Sequence, residues 1–155
     1  MPLSSLVSWL QNTSLSHAIA KANHLFMAGL QVVHVLGFIF LLAALLLSSL
    51  RLLGWALAGQ PVAQVARDAT RLLWVGLAFT VASGTLMFIG APTHYASNPA
   101  FELKMLLLVI AVITQVTLFR GAAQSTSPVP AKAGVVVGLV FWFGVSLAGR
   151  AIGFV

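Results

Sequence analysis

Cysteine is missing from all 155 residues, and charge is scarce. Without a thiol there is no disulfide, no iron–sulfur ligation and no thiolate nucleophile. Asp68 and Glu102 are the only acidic residues, set against eight Lys and Arg. These two carboxylates belong to opposite ends of apolar segments and cannot work as an acid–base pair. No glycine-rich phosphate loop and no nucleophile elbow occurs either, so hydrolysis is not expected. Charged residues make up 6% of the chain, whereas a water-soluble domain carries about a quarter. So few charges cannot coat a globule of this size. They suffice where most of the surface meets lipid. A net charge of +6 invites a nucleic-acid reading, but the basic residues form no cluster. They stand singly near the ends of apolar runs, where such residues anchor helices to headgroups, and no nucleic-acid partner is expected.

What remains is apolar: 60% of the residues. Four runs are long enough for the ~20 residues that a helix needs to cross a bilayer, at residues 25–50, 72–89, 101–119 and 133–152. Before them, Leu3, Leu6, Val7, Leu10, Leu15, Ala18 and Ile19 recur at helical spacing among Ser, Gln and Asn. That period predicts an amphipathic helix over 3–22 lying in the membrane interface. Arg51 closes the first span, and residues 52–70 read as a connection holding a short interfacial helix. Gly90-Ala91-Pro92 stops the second span, and residues 121–132 read as a loop. The expected fold is therefore all-α, a four-helix transmembrane bundle preceded by a short interfacial helix, forming one membrane domain over 1–155. Gly76, Thr80 and Gly84 recur every four residues, a spacing that lets helix backbones approach closely in lipid.

Orientation follows from the basic residues. Arg51, Arg67, Arg71, Arg120 and Lys132 lie on one side, with Lys21, Lys104 and Arg150 on the other. The positive-inside rule then puts both termini outside, in the periplasm if the bilayer is a bacterial inner membrane.

Function in such a chain is sought among polar groups retained within the spans, because each is costly unless satisfied. His34 lies ten residues after His24, about 15 Å deeper along the helix at 1.5 Å per residue. Gln31 stands one turn before it. Gly37, one turn after, leaves room for a flat group. Two readings stand: a neutral histidine bonded to Thr, Ser or Gln of a neighbouring helix, or an axial ligand to haem iron. His24 and His94 both fall at the outer ends of spans and could share a metal or a haem. His17, seven residues before His24, joins them on one face if the helix is continuous, and three histidines suit copper or zinc. Lys104 and Arg150 near the same side either snorkel to headgroups or hold haem propionates.

The segments WLQNTSLSHAI, HVLGFIFLLAALLLSSLRLLG, GTLMFIGAPTHYASNPAFELKMLLL and AGRAIGF resemble a family of small, uncharacterised bacterial inner-membrane proteins with four helices. More distantly, the chain looks like the membrane domain of copper-resistance D proteins. The resemblance covers nearly the whole chain and singles out His34, Lys104 and Arg150. Some relatives have a histidine near the inner end of the third span, where this chain reads Leu118-Phe119-Arg120. Three functions are compatible with these residues. One is a b-type haem electron-transfer subunit, with His34 or the His24/His94 pair on the iron and a homodimer sharing the site. Another is copper handling at His17, His24 and His94. The third is a non-catalytic anchor that packs against partner helices of a larger membrane complex.

Overall fold

Prolines and polar caps decide where the helices of this chain begin. The structure, a computed structural model, describes residues 3–124 and 128–154, with side chains over 4–117 and 134–154. Among the described residues there are seven helices and no strand. In order these are α1 (Leu3–Gln11), α2 (Ser14–Ala20), α3 (His24–Leu53), α4 (Val62–Gly90), α5 (Pro92–Ala96), α6 (Pro99–Gln124) and α7 (Pro128–Ala151). Helices α4 to α7 each start at a proline or directly after one. Its fixed φ suits a first helical turn, and its missing N–H is one that no helix would have satisfied there. Helix α3 opens instead on Asn23, whose side-chain oxygen accepts from the Leu25 N–H at 3.1 Å. It closes on Gly54 at φ +82°. The Trp55 N–H reaches the Leu50 carbonyl at 2.9 Å and that of Gly54 reaches Arg51 at 3.2 Å. This pair of bonds satisfies the last carbonyls of the helix and needs a residue that tolerates positive φ.

Four segments are long and apolar enough to cross a membrane: α3, α4, Pro99–Thr117 of α6 and Gly134–Ala151 of α7. The all-α fold with four such helices and a short helical start is the class expected from the sequence. Three details differ. The helix expected over 3–22 is two helices, parted at Asn12 and Thr13, where the Thr13 hydroxyl caps α2 by accepting from the Ser16 N–H at 3.2 Å. The short helix expected within 52–70 is absorbed, because Pro61 starts α4 and its first turns run straight on into the span. The loop expected over 121–132 is largely helical: α6 continues to Gln124 and α7 begins at Pro128. Residues 125–127 and the side chains of Arg120 and Lys132 lie outside the described residues.

The chain divides into two compact units, Met1–Ala43 with Thr70–Asn98, and Ala44–Ala69 with Pro99–Val155. In the first, α3 and α4 meet backbone to backbone. A Cβ on Gly76 would fall 2.5 Å from the Gly37 carbonyl oxygen and 2.7 Å from the Leu41 nitrogen. One on Gly37 would fall 2.9 Å from the Gly76 oxygen. No side chain fits at either position, so the glycines permit the contact. At the end of α4, Gly90 is covered by Ile19 of α2 and approached by the Met27 methyl of α3. Beyond it, α1 packs on α5, where Gln11 Oε1 accepts from the Thr93 hydroxyl at 3.1 Å.

In the second unit α6 packs along α7, and the contact is filled by side chains. Trp142 and Val145 are fully buried there, with Ala111. A Cβ on Gly144 would stand 3.4 Å from the nearest Leu107 methyl, an ordinary contact distance. At the near end of the same unit, the Arg51 guanidinium donates to the Gln60 carbonyl at 2.8 Å and closes the turn between α3 and α4.

Candidate functional site

The first unit holds a polar contact inside its apolar helices. Apolar side chains on α3 and α4 carry these helices through lipid, so a polar group placed among them must find its partner on the facing helix. His34 of α3 finds Ser83 of α4, with Nδ1 at 3.2 Å from Oγ. Ser83 in turn donates its single hydroxyl hydrogen to the Phe79 carbonyl four residues back, at 2.6 Å. With that hydrogen committed, the bond between the two side chains requires the imidazole to donate. The Nδ1 side of the His34 ring is then the donor to Ser83. The Thr80 hydroxyl adds a long contact of 3.5 Å to the His34 carbonyl oxygen. Gly84 completes the site: a Cβ there would come within 3.0 Å of His34 Cε1. The Cε1–Nδ1 edge of the ring therefore faces the glycine, and any larger residue would push the ring aside.

The structure corrects the reading of Gly37. The space beside it is taken by Thr80, Phe79 and the Gly76 carbonyl of α4, so a flat group does not enter there. A small residue admits a neighbouring helix as readily as a cofactor, and here the helix has it. Gln31, expected to join His34, is exposed.

The remaining histidines are placed differently. His17, His24 and His94 are all exposed. The continuous helix that would align His17 with His24 does not exist, because α2 ends at Ala20 and α3 starts anew at His24. Among the described residues, no three His, Cys, Asp or Glu side chains gather in a way that could hold a metal ion. His94 stands edge-on to Tyr95, ring centroids 5.4 Å apart, and Tyr95 also meets Phe88. Burial pushes the Tyr95 hydroxyl above its ordinary phenol range.

In the second unit, Lys104 lies along α7 at Gly149, where a Cβ would stand 3.4 Å from both its Cε and its Nζ. The neighbouring Arg150 turns its guanidinium over the Phe154 ring, 4.6 Å from the centroid. The two basic residues thus occupy the same end of the α6/α7 pair, as their spacing suggested. Arg150 is exposed and spends its charge on a surface aromatic.

Sequence reasoning missed two polar residues. Ser83 is one. The other is Gln115, 9% exposed in the middle of α6, whose side-chain oxygen accepts from the Trp142 indole N–H at 3.4 Å. Gln115 carried a readable signal, as a lone amide within an apolar run. Ser83 carried little, because a serine inside a membrane helix can satisfy itself on its own backbone.

The family described as "Family of unknown function (DUF6644)" matches residues 6–155. No curated protein and no solved structure matches the chain.

Proposed function

The chain belongs to the family of unknown function DUF6644, and we propose that it is a multi-pass membrane subunit that binds b-type haem and passes electrons, with His34 as an axial ligand. The bond between His34 Nδ1 and Ser83 carries this reading. An imidazole that ligates a metal through one nitrogen typically donates its other N–H to a fixed acceptor, which sets the tautomer and the ring orientation. His34 has its Nδ1 on such an acceptor, on a span, with Gly84 leaving room for that edge of the ring. The donor set fits one axial position. The chain has four histidines, and His17, His24 and His94 lie outside the span interior or at its outer end. Coordination by two imidazoles at the depth of His34 then takes that residue from two copies, with one haem for each pair of chains. Bound haem would supply one-electron chemistry within the bilayer, between a quinone-level donor and a partner at the surface.

On the same reading the bilayer is the bacterial inner membrane, with both termini in the periplasm and the connection around Arg51, Arg67 and Arg71 in the cytoplasm. Copper handling at His17, His24 and His94 asks for three converging donors, which the described residues do not form. An anchoring role has no polar site to explain, whereas the part-buried His34–Ser83 pair calls for one.

The test is stoichiometric. Protein expressed in haem-replete cells and purified in mild detergent is expected to carry about half a haem per chain by the pyridine haemochrome assay. A colourless protein that also fails to shift the Soret band of added hemin would overturn the proposal.

A further inference from the structure

We infer that α1 lies in the boundary between headgroups and acyl chains with three distinct faces, one on the protein, one in lipid and one in water. The argument begins with the level at which the helix sits. Ile19 of α2 and Met27 of α3 both meet Gly90 at the end of α4, and Gln11 of α1 bonds Thr93, the residue directly after the Pro92 that starts α5. Contacts within the first unit therefore hold α1 level with the ends of two membrane-spanning helices. That is where the hydrocarbon gives way to water.

The residues of α1 then sort by direction. At 3.6 residues per turn each residue advances by about 100°. Val7, Leu10 and Gln11 share one face; all three are half-buried, and Gln11 carries the bond to α5. Ser4, Ser5, Ser8 and Asn12 share a second, exposed face, and Ser8 and Asn12 bond back along the helix. Leu6 and Trp9 share the third, 48% and 68% exposed. The centres of the three faces are roughly 120° apart on such a wheel. A helix lying freely on a membrane needs two faces. One resting on the bilayer surface while braced against a protein needs three, and α1 has them.

Its outer apolar face is committed to lipid by chemistry. Leucine beside tryptophan at this level matches the interfacial belt, where the indole ring takes an intermediate polarity. The helix has neither acidic nor basic residues in its first or last turn, and none between. Attachment is then by apolar insertion, with little dependence on lipid charge or salt, unlike a polybasic anchor.

The absence of cysteine makes the test direct. Four full-length variants, Leu6→Cys, Trp9→Cys, Ser8→Cys and Val7→Cys, each take one nitroxide label and are reconstituted in phosphatidylcholine vesicles. Collision rates with oxygen and with a water-soluble nickel chelate are then read by electron paramagnetic resonance. Labels at Leu6 and Trp9 are expected to favour oxygen, that at Ser8 the nickel chelate, and that at Val7 neither. Replacing a third of the lipid by phosphatidylglycerol should change none of these ranks. Nickel access at both Leu6 and Trp9 would overturn the inference by placing that face in water. Low access to both reagents there would overturn it in favour of a covering protein. Ser8→Cys sits on the exposed polar face and reports on α1 even if an apolar substitution disturbs its docking.

Discussion

The two units join their helices in opposite ways. In the first, α3 and α4 touch through their backbones at Gly37 and Gly76, and a polar pair, His34 and Ser83, lies about one turn along α3 and two turns along α4 from that contact. In the second, α6 and α7 are held apart by side chains, with Trp142 filling the gap and bonding Gln115. Lipid gives no hydrophobic drive for helix association, so packing and hydrogen bonds must supply it. Close approach and bulk filling are two solutions to that problem, and each fails under a different change. The first is broken by adding an atom and the second by removing a ring.

The largest expected effect is therefore in the second unit. Trp142→Ala leaves a large cavity and strips Gln115 of its donor, at a cost of about 3–5 kcal/mol. Unfolding in mixed micelles, followed by circular dichroism, should show this directly; a Trp142→Ala protein as stable as wild type would mean that the side-chain contact is not what holds α6 to α7. Next comes Gly76→Ala. Its new methyl meets backbone atoms that cannot turn aside, and a loss of about 1–3 kcal/mol or more is expected. The paired control is Gly144→Ala, where the methyl meets a movable Leu107 and the gain in helix propensity of up to about 1 kcal/mol offsets any crowding. If Gly76→Ala and Gly144→Ala behave alike, the contrast between the units is lost. The smallest effect should be a gain. Ser16 is completely buried in α2 and its hydroxyl has no partner among the described residues. Ser16→Ala removes a group whose desolvation is uncompensated and should raise stability by about 1 kcal/mol. A fall instead would show that a water or another ligand meets that hydroxyl.

Much of this fold was legible from residues alone, for physical reasons. Long apolar runs have one way to be satisfied in lipid, so the four spans follow from hydropathy. Pro61, Pro92, Pro99 and Pro128 mark helix starts because proline suits the first turn. His34 stood out as a polar residue that a membrane helix does not keep without cause. Its partner was hidden, because Ser83 lies 49 positions away and nothing in one sequence pairs them. Gly37 shows the same limit from the other side: a gap is visible in sequence, but its occupant is not. The break between α1 and α2 was readable, since Leu10 and Leu15 are five apart, out of step with a helical face, with Thr13 between them as a cap.

The account turns on His34, and the most direct measurement compares four visible spectra. Wild type, His34→Ala, His24→Ala and His94→Ala are purified side by side and recorded oxidised and then dithionite-reduced. The expected result is a Soret peak with α and β bands that sharpen on reduction in wild type, His24→Ala and His94→Ala, and their loss in His34→Ala alone. A His34→Ala protein that folds, shown by an unchanged circular dichroism spectrum, and keeps the full haem spectrum would contradict the assignment of His34 as ligand.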